Sequence, residues 1–196
     1  MLFRSTQSNA FAKDQFDGVG FKGIRDRLLQ VLQTVGLLEG ESLSRFDRRF
    51  RGDEQEFAFA SVVRCSLTGM DREKHVHTAD SGAVVPALKA GSAGYEFASA
   101  CVDQHLRNLP HATRRVILLS NADAYIKHLS TLIGLARGGL QPKKVIDVAY
   151  SAGGVLFVHV SHPSKGNGHF GAFNRGEGTP GKKMRLAREA LAAMKR

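Results

Sequence analysis

Apolar positions in "GIRDRLLQVLQTVG" recur at Ile24, Leu28, Val31, Leu32 and Val35, the spacing of one helix face, and Gly36 supplies a stop. A second helical pattern runs through "YEFASACVDQHLRNLP", with Phe97, Cys101, Val102, His105 or Leu106, and Leu109 on one side and Pro110 at the end. A third, "NADAYIKHLSTLIGLARGG", gathers Ala122, Tyr125, Ile126, Leu129 and Ile133 and closes on glycine. Between these lie short runs rich in β-formers. "FAFASVVRCSL" reads as a strand over Phe57–Cys65, and "RRVILLS" as a continuous apolar run of the kind buried in parallel sheets. "KVIDVAY" and "GVLFVHV" read as two further strands separated by "SAGG", and the opening "MLF" as a short first strand or its remnant. A last helix starts near Thr179-Pro180, a favourable N-cap and first-turn pair. Helices alternating with strands predict an α/β fold, a three-layer α/β/α sandwich around a mostly parallel central sheet. Ligands of such sheets bind beyond the carboxyl ends of the strands, which points to the loop 161–170, the Ser120-Asn121 turn and the end of "ASVVRC".

A chain of 196 residues is expected to form one domain over 1–196. The stretch 68–94 has no clear periodicity and reads as a long loop of the mobile or functional kind. No apolar run approaches the ~20 residues of a membrane span, and "MLFRSTQSNA" lacks the apolar core of a signal peptide, so a cytoplasmic protein is expected. Cys65 and Cys101 are expected as free, buried thiols. Charge changes the reading most. Lys and Arg number 28 against 18 Asp and Glu, a net charge of +10, which favours a polyanionic partner, nucleic acid first, over a basic protein without one. A membrane surface is disfavoured, because the basic "GKKMRLAREALAAMKR" is Ala-rich on its apolar side and carries no Trp or Phe.

Metal spacing occurs twice, in His75-x-His77 and His159-x-x-His162, but no carboxylate or Cys pair joins either, so no metal is expected. Two cysteines are too few for an iron–sulfur cluster. "GVGFKG" is only part of a glycine-rich fingerprint, the Walker pattern is absent, and so is the G-x-S-x-G nucleophile elbow. No cofactor is expected. What remains is "VLFVHVSHPSKGNGHF", where two histidines, a proline, a serine and an asparagine crowd the eight positions after an apolar strand. A turn capped by His162 would look the same as a catalytic loop on residue types alone.

"HVSHPSKGN" resembles the His-Pro-Ser motif of the uracil-DNA glycosylase superfamily, which also follows the last sheet strand. Other pieces stand in family order. "GVGFKGIRDRLLQVLQTVGLL" is similar to the glycine turn and helix after the first motif, and "FASVVRCSL" to the strand that in several branches reads T-N-V-V-K-C. "CVDQHLRNLPHATRRVILLSNADAYI" resembles the helix, strand and small-residue turn that follow.

The resemblance implies a DNA repair enzyme that flips uracil out of DNA and hydrolyses the bond from base to sugar. It implies that His162 donates a hydrogen bond to the base carbonyl as the base leaves as an anion, a role a neutral imidazole can fill. Ser120, Asn121 and Ser164 would grip phosphates, and Pro163 would hold the angle of His162. Lys165, Gly166, Asn167, Gly168 and His169 would form the loop entering the duplex, with Asn167 or His169 filling the gap and Phe170 stacking. The first motif departs from the family pattern: "TQSNAFAKDQF" lacks its Gly and Pro, which leaves Asn9 as first candidate for positioning water, then Asp14 and Gln7, and Phe11 for stacking on the base. Ser61 stands where those branches carry Asn. A hydroxyl cannot make the bidentate pairing of an amide, which implies a wider range that includes hypoxanthine or xanthine, or lower activity. The implied partner is DNA with deaminated bases, bound by a monomer near the nucleoid. Two alternatives stay open: a binding module on the same fold with the chemistry lost, and an enzyme acting on free nucleosides or nucleotides.

Overall fold

In the computed structural model, which describes residues 20–60, 62, 69–71, 76–78, 85–139 and 141–193, the expected helices form where apolar spacing placed them. They are α1 (Arg25–Thr34), α3 (Tyr95–Leu106), α4 (Asp123–Ala136) and α6 (Gly178–Ala193); two short helices, α2 (Leu43–Arg48) and α5 (Phe170–Arg175), were not anticipated. The strands are β1 (Gly69–Asp71), β2 (Val76–Thr78), β3 (Arg115–Leu119), β4 (Lys143–Ile146), β5 (Ala149–Ala152) and β6 (Val155–Val160). β1 and β2 pair as an antiparallel hairpin inside the stretch read as loop. The opening "MLF" and Cys65 lie outside the described residues, while Cys101 is buried.

The four-stranded sheet has the order β3-β6-β5-β4, and it corrects the expectation of a mostly parallel sheet. β4–β5 and β5–β6 are antiparallel, leaving one parallel pair. The cause is loop length. Gly153 and Gly154 form a two-residue link with φ of 56° and 78°, the left-handed pair of a tight hairpin, and a parallel crossover needs a dozen residues or more. "KVIDVAY" is likewise two strands, β4 and β5, hinged at Asp147-Val148. Phe57–Ala60, read as the start of a strand, is irregular; Phe59 instead stacks on Phe50, and Phe57 on Phe59. Among the described residues β3 lies at one edge of this sheet, and within it only Leu118 is buried. β4, at the other edge, exposes Lys143 and Lys144, which discourages pairing with another chain.

The chain divides into two compact units, one within residues 61–159 and the other within 20–60 and 160–193. The first packs Ala98, Val102 and Leu106 of α3 and Leu129, Leu132 and Ile133 of α4 with Leu118, Tyr150 and Phe157 of the sheet. Phe97, expected on the apolar face of α3, is 62% exposed; small Ala98 takes the buried place instead. Arg137, just past α4, donates to the carbonyls of Leu106 (2.8 Å), Ala152 (2.9 Å) and Gly153 (3.0 Å), so one guanidinium closes a helix end and a hairpin.

In the second unit, Leu28, Val31 and Leu32 of α1, Phe46 of α2 and Phe173 of α5 are buried. Arg49 pairs with Glu41 at 2.7 Å and Glu56 at 3.0 Å, and its guanidinium lies 4.4 Å from the Phe57 ring centre. α5 ends at Gly176 with φ of 76°, and the chain turns at once into α6. The turn is so tight that a Cβ on Gly181 would fall 2.6 Å from Cα of Gly176 and closer still to its carbonyl.

Candidate functional site

β6 is buried along its whole length, and its apolar run gives way at Ser161 to a loop that folds back on itself. Asn167 is the knot of that loop. Its Nδ2 donates to Oγ of buried Ser161 (2.9 Å) and to the carbonyl of His162 (2.7 Å), and its Oδ1 accepts the N–H of His169 (3.0 Å). The Asn167 N–H donates to the carbonyl of Ser164 at 3.1 Å. A second brace comes from α1. Arg27 donates from Nε to the carbonyl of Pro163 (2.8 Å) and from Nη2 to that of Ser164 (2.9 Å), and its guanidinium lies 3.6 Å above the Phe170 ring. Pro163 is buried, while Lys165, Gly166, Gly168 and His169 are exposed at the tip.

His162 is exposed to solvent on this braced loop, and its Nδ1 accepts the backbone N–H of Ser164 at 3.1 Å. A nitrogen that accepts carries a lone pair, so the proton of the neutral ring sits on Nε2. Partial burial holds the pKa of His162 below the ordinary histidine value, which keeps that neutral form at physiological pH. Among the described residues Nε2, which carries the proton, has no hydrogen-bond partner.

The first unit holds the other histidine. His159, fully buried near the end of β6, has its Nδ1 2.8 Å from the carbonyl oxygen of Ser120. A carbonyl only accepts, so Nδ1 carries the proton and Nε2 accepts from the hydroxyl of Tyr150 at a long 3.4 Å. Tyr125 stands edge-on to the ring. Burial pushes His159 down to about 4, Tyr125 up to about 12, and Tyr150 far above the usual phenol range. His159 therefore ties the turn after β3 to β6 as a neutral donor. With both ring nitrogens engaged, it is not available as a partner for His162 at a metal.

Ser164, Lys165, Gly166, Asn167, Gly168 and His169 thus share one loop with His162 in the second unit, and Ser120 and Asn121 belong to the first. Asn9, Phe11 and Ser61, with Asp14 and Gln7, lie outside the described residues. Asn167 has both ends of its amide inside the loop, and Phe170 carries Arg27 on one face. Ser120 and Asn121 precede α4, whose N-cap is Ala122 and whose first turn carries Asp123. Sequence reading missed Arg27 and the tethering role of His159. The former left no signal, since it bonds backbone carbonyls 136 and 137 positions away; the latter left one, an imidazole among the apolar residues of "VLFVHV".

Among the described residues no group of three or more His, Cys, Asp or Glu side chains gathers as a metal site requires, and no helix is long and apolar enough to cross a membrane. Compared with protein-family models, curated proteins and solved structures, the chain matches none of them.

Proposed function

We propose that the chain is a monofunctional DNA glycosylase that excises uracil, together with other deaminated bases such as hypoxanthine or xanthine. The observation that carries this reading is the Ser164 N–H on Nδ1 of His162, which leaves the proton of the neutral imidazole on Nε2. Hydrolysis of the glycosidic bond adds water at the sugar carbon and releases the base as an anion, with negative charge growing on its carbonyl oxygen. A fixed N–H donor aimed at that oxygen stabilises charge that exists only as the bond breaks.

In this reading Asn9 positions the water, and Ser61 and Phe11 line the base pocket. Ser164, Ser120 and Asn121 contact phosphates, and the exposed tip at Lys165, Gly166, Gly168 and His169 meets the duplex. Asn167 acts through the loop it braces. The net charge of +10 supports DNA as the partner. The reading carries with it a monomer working on nucleoid DNA in the cytoplasm, a three-layer arrangement of helices about the sheet, and no cofactor.

The test is alkaline strand cleavage of labelled oligonucleotides carrying uracil, hypoxanthine or xanthine, single- and double-stranded. Wild type is expected to leave abasic sites. His162→Ala is expected to lose on the order of 10²–10³ in rate with binding changed by less than about twofold. Equal loss of binding and rate would remove the role given to His162. A second reading, a DNA-binding module on the same fold without chemistry, rests on the first motif, since "TQSNAFAKDQF" lacks the Gly and Pro of the family pattern. Binding with no abasic product from any substrate would select it.

A further inference from the structure

Nothing in an isolated His-Pro-Ser segment dictates which ring nitrogen of the histidine carries the proton. Here that choice depends on the Ser164 N–H pointing at Nδ1, and so on the backbone path through Pro163 and Ser164. That path is held from outside the loop. Arg27 spans the two successive carbonyls with two nitrogens of one planar group, at 2.8 and 2.9 Å. Bonds from a charged donor are stronger than neutral ones, and the rigid fork fixes both peptide planes at once. The same guanidinium lies on the Phe170 ring at 3.6 Å, so the far end of the loop is tied to the same point. Asn167 closes the loop upon itself but reaches neither the Pro163 carbonyl nor the imidazole.

We propose that Arg27 is a positioning residue: its fork on the Pro163 and Ser164 carbonyls sets the backbone that occupies Nδ1 of His162 and so keeps the imidazole proton on the outward Nε2. Without the fork the Ser164 peptide turns, Nδ1 is released, and the proton divides between the two nitrogens as in free histidine. The imidazole then offers a lone pair outward for part of the time. A lone pair repels a developing oxyanion where an N–H would attract it. The consequence for catalysis rests on the glycosylase reading; the consequence for the tautomer does not.

The experiment is 15N NMR of the histidine ring nitrogens in the full chain at mildly alkaline pH, with His162→Ala used to assign the His162 signals. Wild type is expected to show two widely separated nitrogen shifts, one protonated and one bare. Arg27→Met, which keeps length and apolar packing, is expected to pull the two shifts together toward the free-histidine mixture. Arg27→Lys, with one donor for two carbonyls, should fall between. An unchanged wild-type pattern in a folded Arg27→Met chain overturns the proposal, and where that variant fails to fold the same result in Arg27→Lys does so. In the excision assay Arg27→Met should lower kcat on the order of 10-fold with KM little changed. Should wild type excise nothing, the glycosylase reading falls and the ring shifts alone still decide the role of Arg27.

Discussion

His159 and His162 are three positions apart and chemically opposite. One is sealed in apolar surroundings with its Nδ1–H on the Ser120 carbonyl; the other, partly exposed on a loop, has its Nδ1 as acceptor. Their surroundings make the difference, not the residue type. The buried one also carries a prediction about acid. Folded His159 takes a proton only near pH 4, whereas the unfolded chain takes it near the ordinary value of 6.5. Between those values the unfolded state binds more protons, so this contribution to stability is complete above about pH 7 and is lost as pH falls toward 4. The loss amounts to about 3 kcal/mol. His159→Gln, whose amide can still donate and accept, should flatten the fall in urea midpoint between about pH 7 and pH 4.5 relative to wild type. Equal slopes in the two proteins would show that His159 is not what titrates.

At the scale of elements, α5 and α6 form one hairpin whose corner admits no side chain. Gly181→Ala sets two effects against each other: alanine favours a helix interior by about 1 kcal/mol, and the added Cβ collides with backbone that cannot move independently. Backbone overlap of this depth outweighs propensity, so a net loss of about 2 kcal/mol or more is expected, read as a lower thermal midpoint. A midpoint at or above wild type would mean that the corner opens easily. The sheet teaches a related lesson. "SAGG" between two apolar runs is itself a hairpin signal, and reading it by link length would have predicted β5–β6 as antiparallel. Alternation of helices with strands suggested a parallel sheet, but a glycine pair two residues long leaves no chain for a crossover.

For the molecule as a whole, the net charge of +10 remains after every acid is offset, but several arginines hold fixed places within the fold. Arg27, Arg137 and Arg185 bond backbone carbonyls, and Arg107, Arg175 and Arg188 pair with Asp103, Glu177 and Glu39. On α6, Arg185 donates to the carbonyl of Gly176 and Arg188 pairs with Glu39. If DNA is the partner, a footprint of about five phosphates would make a fourfold rise in salt lower the affinity on the order of 10²–10³-fold. An affinity indifferent to salt would remove DNA as the partner. The same contacts mark how far residues can be read without a fold. Helix positions were legible from local spacing at Leu28, Val31, Leu129 and Ile133, because a helix buries residues three and four apart wherever it packs. The His162 loop was legible too, as a cluster of chemically able side chains after an apolar strand. Strand direction, the tautomer of His162 and the work of Arg27 were not. Each depends on groups brought together across the chain, a carbonyl and a guanidinium 136 positions apart among them, and local periodicity carries no trace of such distances.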